Sequence, residues 1–233
     1  MPTAAVIGVG PGLGMSLAHR FGREGYTVAL VSRTDTRHAG YVSALAEAGV
    51  KAETFVADVR DRDQLASTLD EIGPVDLLYY GPGAIDGARP RSITETTADE
   101  VRDVMAGVYP AIEAVGRVLP GMLERGVGGL LFAGGLSAVQ PIPMLGALAV
   151  SSAALRNYVL TLNAGLAGTG VYAGTLTIGG LIERGDIHQL VVSRPEMFGG
   201  VPPTTLDPDE IAESAWELHE KRDRAEAVFT VLG

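Results

Sequence analysis

Cysteine is absent from this 233-residue chain, and lysine occurs only twice, as Lys51 and Lys221. Without cysteine the protein forms no disulfide, has no thiol nucleophile and holds no metal through sulfur. The histidines are far apart and lack the spacing of metal ligands; they are His19, His38, His188 and His219. We therefore expect no metal site.

Positive charge and long apolar runs are also scarce. The formal net charge is −10, which argues against binding to nucleic acid or to an anionic membrane surface. No apolar run approaches the ~20 residues that cross a bilayer, and the N-terminus does not have the pattern of a signal peptide. We expect a cytoplasmic protein with no nucleic acid partner and no membrane association.

Apolar residues make up 46% of the chain, which is enough to bury a parallel sheet on both faces. Strand and helix patterns alternate along the sequence, and no linker-like change in composition interrupts them. We predict one α/β domain over residues 1–233, with a Rossmann-like, doubly wound parallel sheet of about seven strands. The predicted strands are 3–7, 27–32, 52–57, 75–80, 128–133, 171–178 and 225–232.

Three longer segments have distinct predictions. Apolar spacing over 98–125 predicts a long helix, bent at Pro110. The segment 145–166 predicts a second long helix whose single charged residue is Arg156, so we expect it to be buried at a packing or subunit interface. Residues 183–206 have poor periodicity and several prolines and glycines, which favours a lid.

A glycine-rich turn follows the first predicted strand: Gly8-Val9-Gly10-Pro11-Gly12-Leu13-Gly14. Strand, glycine turn and helix form the context of a dinucleotide-binding turn, although a plain tight turn uses glycine as well. Gly8 would turn the chain sharply, Gly12 would admit a pyrophosphate, and Gly14 would let the helix pack closely. The N–H groups of the first helical turn would face the anion.

The end of the second strand bears on cofactor choice. No carboxylate stands at Ser32 to hold the ribose hydroxyl of NAD, and Arg33 follows at once. An arginine here suits the 2′-phosphate of NADP, although a surface arginine after a strand is common. This pattern favours NADP over NAD.

The spacing Gly-x-x-x-Gly-x-Gly resembles the short-chain dehydrogenase/reductase family, with Ile7 where that family usually has threonine. The resemblance covers nearly the whole chain and implies an oxidoreductase that assembles through its two long helices as a dimer or tetramer. It places Asp58 and Val59 beside the adenine, although Asp58 also suits a helix cap. The cofactor-binding positions it implies are Gly8, Gly10, Gly12, Leu13, Gly14, Ser32, Arg33, Asp58, Val59, Gly81, Gly83 and Gly179.

The family's catalytic residues are replaced in this chain. Its helical asparagine aligns with Gly107, its serine with Gly135, and its Tyr-x-x-x-Lys pair with Leu148 and Ser152. No shift of register recovers the pair, because neither lysine of the chain lies in this segment. Leu148 has no proton to give, and Ser152 has no charge with which to tune a neighbour.

Three interpretations follow: a divergent oxidoreductase with another proton source, an NADP-binding protein without turnover that acts as a sensor or partner subunit, or a non-redox enzyme that reuses the pocket. The candidate catalytic residues are Ser137, Tyr80 and Ser152, with Tyr79, Tyr109 and water as further proton sources. Apolar residues of the predicted lid suggest an apolar small-molecule substrate; they are Met197, Phe198 and Pro202.

Overall fold

A seven-stranded, all-parallel sheet organises the computed structural model, which describes residues 1–82, 91–194 and 204–231. In spatial order the strands are β3-β2-β1-β4-β5-β6-β9, so the chain winds outward from β1 in both directions. The predicted doubly wound, Rossmann-like α/β fold is therefore confirmed. The bounds are β1 Thr3–Ile7, β2 Thr27–Ser32, β3 Ala52–Val56, β4 Leu77–Tyr80, β5 Gly128–Gly135, β6 Val171–Gly179 and β9 Glu226–Thr230.

Helices cover both faces of the sheet. Helices α3, α5 and α6 pack on one face, and α1, α2 and α8 pack on the other. The bounds are α1 Leu13–Arg23, α2 His38–Glu47, α3 Arg62–Ile72, α4 Ala98–Met105, α5 Tyr109–Arg125, α6 Gly146–Gly165, α7 Asp186–Ser193 and α8 Pro208–Lys221. Among the described residues, no helix is both long and apolar enough to cross a membrane.

Side chains alternate between the two faces along the central strands, as the pleat requires. In β4, Tyr79 enters the core beneath α1 and α8, while Tyr80 enters the core beneath α5 and α6. Both tyrosines are only 2% exposed. These neighbouring tyrosines therefore face opposite sides of the sheet.

The predicted helix over 98–125 is two helices rather than one bent helix. Helix α4 ends at Met105, the backbone turns through Gly107, and α5 begins at Tyr109. Pro110 therefore stands in the first turn of α5, where its missing N–H costs no hydrogen bond. The proline that lies in the interior of α5 is Pro120, not Pro110.

The predicted lid segment contains regular structure. Strands β7 (Leu181–Ile182) and β8 (Thr205–Leu206) form a separate two-stranded parallel ladder, and α7 lies between them in sequence. Residues 195–203, with Met197, Phe198 and Pro202, lie outside the described residues.

Helix α6 is less buried in the single chain than its composition predicts. Its fully buried residues are Gly146, Leu155 and Val159, and most of the rest are half-buried or exposed. Only one narrow stripe of α6 faces the core, because the helix packs on the sheet beside α5 and is not covered by another layer among the described residues.

Candidate dinucleotide-binding site

The glycine turn lies at the carboxyl end of β1, at the centre of the sheet. Gly8 has φ +86°, and the N–H groups of Gly8 and Val9 both donate to the carbonyl of Val31 at 2.9 and 3.1 Å. A Cβ at Gly8 would stand 2.5 Å from the Cα and N of Pro82. Both the backbone conformation and the space therefore require glycine here.

The other three glycines of the turn differ in which atoms lie near the position that a Cβ would occupy. A Cβ at Gly14 would lie 2.8 Å from the Cα of Val9, so the start of α1 packs directly on the turn. A Cβ at Gly12 would lie 3.0 Å from the carbonyl oxygen of Glu183 and from the N of Gly185. Gly10, in contrast, has no described atom within 4 Å of a Cβ.

Helix α1 begins in a way that suits an anion. Its N-cap is Gly12, and within the described part of the chain no side chain caps the helix and no acidic residue stands in its first turn. Leu13 is buried, so at this position only the backbone can face a ligand. Uncapped N–H groups at a helix start, together with the helix dipole, favour a phosphate.

The loop after β2 folds back on its own strand. Ser32 Oγ lies 2.7 Å from Nε2 of His38 and donates to the carbonyl of Thr34 at 2.9 Å. His38 is 6% exposed and begins α2, so this contact fixes the loop that bears the exposed Arg33. Sequence reasoning tested His38 only for metal-ligand spacing and missed this role.

Asp58 and Val59 follow β3 at the next position along the sheet edge. Asp58 pairs with Arg60 at 2.7 Å, and hydrogen bonds from the Arg60 side chain and N–H lower the pKa of Asp58 to about 2. Val59 is half-buried against the core beneath α3. The pair thus offers one fixed carboxylate beside one apolar side chain.

Gly81 and Gly179 lie at the carboxyl ends of β4 and β6. A Cβ at Gly81 would overlap the hydroxyl of Tyr79, and one at Gly179 would stand 2.3 Å from Cδ2 of Leu136. Both positions keep the same edge of the sheet closely packed. The third glycine predicted here, Gly83, lies outside the described residues.

Two serines meet at the carboxyl end of β5. A Cβ at Gly135 would lie 3.1 Å from Oγ of Ser152 and 3.5 Å from Oγ of Ser137. Ser137 comes from the 3₁₀ turn Leu136–Ala138 and Ser152 from α6. Leu148 lies one turn before Ser152 on that helix and is half-buried. The structure thus brings together Gly135 and Ser152, the two positions that the sequence analysis predicts to correspond to the family's serine and lysine.

Tyr80 has a hydrogen bond of its own. Its hydroxyl donates to the carbonyl of Gly107, at 3.0 Å, at the break between α4 and α5. Burial raises the pKa of Tyr80 well above its usual value, so the hydroxyl keeps its proton. The contact joins Tyr80 to Gly107, the position aligned with the family's asparagine.

The segment 182–186, here called the strap, covers the glycine turn. Arg184 pairs with Asp209 at 2.8 Å and with Asp207 at 3.5 Å, and it donates to Ser16 Oγ at 3.3 Å. Asp186 pairs with Arg37, beside β2. Sequence reasoning did not identify these pairs, because each joins residues far apart in the chain.

Metal-binding groups are missing from the described ranges, where no three histidine, aspartate or glutamate side chains are placed to hold an ion. The polar groups around this sheet edge are backbone N–H groups, hydroxyls, arginines, and the carboxylates of Asp58 and Asp186, which are paired with Arg60 and Arg37. This combination suits a phosphate-bearing ligand better than a cation.

Sequence comparison agrees with this geometry. The short chain dehydrogenase family model matches residues 2–183. The chain is 27% identical over 210 residues to the ketoacyl reductase HetN of Nostoc sp., covering 88% of this chain and 72% of HetN. It is 34% identical over 125 residues to the 3-dehydrosphinganine reductase TSC10B of Arabidopsis thaliana, covering 52% of this chain and 36% of that protein.

Solved structures share the fold across the whole chain. A 3-oxoacyl (acyl-carrier-protein) reductase from Agrobacterium tumefaciens C58, solved with NADP bound, has a TM-score of 0.82 at 20% identity and covers 98% of this chain and 92% of its own. A metagenomic short-chain oxidoreductase in complex with NADP has a TM-score of 0.76 at 18% identity and covers 98% and 96%. The chain belongs to the short-chain dehydrogenase family, whose members are oxidoreductases that use NAD(P).

Proposed function

We propose that this chain binds NADP across the glycine turn and is a divergent oxidoreductase with little ordinary carbonyl reduction. The observation that carries the proposal is the arrangement at the end of β5. Gly135 faces the hydroxyls of Ser137 and Ser152, and Leu148 would occupy the position of the family's proton donor. The cofactor site thus keeps its glycines while the catalytic set is changed.

The cofactor's phosphates would lie over Gly8, Gly12 and Gly14, against the start of α1. Arg33 would bind the 2′-phosphate, because its guanidinium follows β2 and no carboxylate stands at Ser32. An arginine–phosphate hydrogen bond is charge-assisted and contributes roughly 1.5–3 kcal/mol. The NADP bound in the two fold neighbours supports this choice of dinucleotide.

Hydride chemistry, when NADPH is bound, would come from the nicotinamide. Reduction of a ketone leaves an alkoxide, which needs a proton and a polarising donor. Ser137 and Ser152 can donate hydrogen bonds to that oxygen, but no lysine lies in this segment to lower a hydroxyl pKa. Loss of a positioned general acid typically lowers the rate by roughly 10²–10⁴.

Tyr80 is the remaining candidate from the sequence. Its hydroxyl is engaged by Gly107 and lies within the core, which favours a role in holding the α4–α5 break over a role in proton transfer. We therefore centre the proposal on the two serines. An NADP-binding sensor or partner subunit remains the second proposal, and a non-redox enzyme that reuses the pocket remains the third.

Fluorescence titration with NADPH and NADH, followed by a ketone and aldehyde panel, tests the proposal. The panel includes a ketoacyl compound and 3-dehydrosphinganine, because HetN is named a ketoacyl reductase and TSC10B a 3-dehydrosphinganine reductase. We expect NADPH binding with turnover well below the 1–10³ s⁻¹ typical of enzymes. Turnover within that range would refute the catalytic claim, binding without turnover would favour the sensor, and no binding would favour a non-redox role.

The triple variant Gly135→Ser, Leu148→Tyr and Ser152→Lys is the constructive test. A serine at position 135 would crowd Ser152 Oγ at 3.1 Å, and the replacement of Ser152 in the same variant removes that oxygen. We expect tighter NADPH binding or the appearance of weak reductase activity. The single variant Gly135→Ser, which keeps Ser152, is the control for crowding alone.

We also propose a homo-oligomer that forms through α5 and α6. Exposed apolar side chains on these helices include Tyr109, Ile112 and Val150, and a groove between the helices is lined in part by Leu119 and Tyr158. Solvent exposure of such a surface is unfavourable. Light scattering should detect a dimer or tetramer at micromolar concentration. A monomer would refute this proposal without affecting the cofactor proposal.

A further inference from the structure

A bidentate ion pair crosses the candidate site. Arg37 Nη1 donates to Asp186 Oδ2 at 2.9 Å, and Arg37 Nη2 lies 2.8 Å from Asp186 Oδ1. Arg37 ends the loop after β2, whereas Asp186 begins α7, 149 residues later. Their side chains are 51% and 59% exposed, so solvent reaches both partners.

The two ends of this pair flank the predicted path of the dinucleotide. Arg37 immediately precedes His38, whose ring contacts Ser32 at the end of β2. Asp186 immediately follows Gly185, whose N lies 3.0 Å from a Cβ built at Gly12. The pair therefore reaches from the ribose end of the site to the pyrophosphate turn.

We propose that Arg37 is a specificity-determining residue that binds the 2′-phosphate of NADP together with Arg33, in competition with Asp186. This inference rests on the proposed binding of NADP. The guanidinium fork matches phosphate as well as carboxylate, and a phosphate monoester carries more negative charge than one aspartate. The same arginine therefore favours the phosphate over Asp186 when both are within reach.

A second residue of the strap, Arg184, contacts other parts of the chain independently of Asp186. Arg184 is joined to Asp207 and Asp209 at the start of α8 and to Ser16 of α1. It holds a left-handed backbone conformation, with φ +65°, which costs a non-glycine residue energy that these contacts offset. Asp186 can thus leave Arg37 without breaking the contacts of Arg184.

Exposed ion pairs contribute little to stability, so both partners can be changed in the folded protein. The variants are Arg37→Gln, Asp186→Asn and the double variant, with Asp35→Asn as the matched control. Asp35 is exposed in the same loop as Arg37, and its substitution changes the net charge as Asp186→Asn does. Titrations use NADPH and NADH, and then the fragments 2′,5′-ADP and 5′-AMP. Circular dichroism checks folding.

We expect Arg37→Gln to weaken NADPH and 2′,5′-ADP binding about tenfold and to leave NADH and 5′-AMP nearly unchanged. Asp186→Asn should tighten NADPH binding about threefold, more than Asp35→Asn does. In the Arg37→Gln background, Asp186→Asn should have no such effect, since the competition has been removed.

Other results would overturn the inference in distinguishable ways. If the parent binds NADPH and Arg37→Gln binds it equally well, Arg37 has no part in recognition and the proposed function stands. If NADPH and NADH weaken equally, Arg37 contacts the shared pyrophosphate instead of the 2′-phosphate. If the parent binds neither dinucleotide, the proposed function fails and this inference fails with it.

Discussion

Replacement of Gly8 by alanine should damage the fold at the centre of the site. The glycine turn depends on φ +86° at this residue, a conformation that L-residues with a Cβ rarely adopt. The same Cβ would stand 2.5 Å from two backbone atoms of Pro82 and 2.8 Å from the carbonyl carbon of Gly81. Backbone cannot rotate away as a flexible side chain does, so β1 and the end of β4 would have to separate.

The two penalties can be estimated separately. The left-handed conformation costs an alanine about 1–2 kcal/mol relative to glycine, and forcing an extra methyl into a closely packed place costs about 1–3 kcal/mol. The loss of stability is then about 2–5 kcal/mol, against a total of about 5–15 kcal/mol for a typical domain. At this chain length the melting temperature should fall by between about 4 and 20 °C.

Gly10→Ala is the matched control, because it adds the same methyl to the same turn where no described atom lies within 4 Å. Urea denaturation and thermal melts of the two variants make the comparison. We expect Gly10→Ala to stay within about 0.5 kcal/mol of the parent, as is usual for a surface change. Equal losses in the two variants, or none in Gly8→Ala, would refute the reasoning.

Three further predictions concern other contacts of the site and the core. Gly12→Ala would place a methyl 3.0 Å from the carbonyl oxygen of Glu183 and the N of Gly185. We expect this variant to bind NADPH more than about tenfold more weakly and to lose less stability than Gly8→Ala, and an unchanged NADPH affinity would contradict this. Tyr80→Phe removes the hydroxyl that donates to the Gly107 carbonyl, and urea denaturation should show a free energy of unfolding lower by about 1–3 kcal/mol. An unchanged free energy of unfolding would show that the hydroxyl is dispensable. Burial lowers the pKa of His219 from 6.5 to about 4, so protonation favours the unfolded chain. Stability should therefore fall between about pH 6.5 and pH 4, by up to about 3 kcal/mol, and His219→Gln should reduce that slope.

The strands of the main sheet could be predicted because the sequence patterns that mark each strand are local. Short apolar runs that end at glycine or at polar residues mark parallel strands, and their observed bounds differ from the predicted ones by a few residues at most. The helix prediction over 98–125 was wrong because apolar spacing continues through the break. Met105 packs against the same core that Val108 and Ala111 enter, so periodicity alone gives no sign of the turn at Gly107.

Only the local features of the candidate site could be predicted from the sequence, because contacts between distant residues leave no pattern in the chain. Glycine roles at Gly8 and Gly14 follow from strand-turn-helix geometry and are visible within one motif. The pair between Arg37 and Asp186 joins residues 149 positions apart, and no local pattern marks either of them. The contact between Ser32 and His38 is local, and a search for turn-closing side chains, rather than for metal ligands, would have found it.

The side chains at the end of β5 limit what the proposed pocket can bind. Two hydroxyls lie beside Gly135, and on the alignment that we propose Leu148 places an apolar side chain where the family has a phenol. Within the proposed NADP site, a ligand with one oxygen and an apolar body would fit such a surface better than a ligand with several charges. Because Ser137 and Ser152 come from different elements, a turn and a helix, both hydroxyls can reach that oxygen only while α6 stays packed on β5. Ligand recognition at this position therefore depends on the same helix that we propose to be covered in the oligomer.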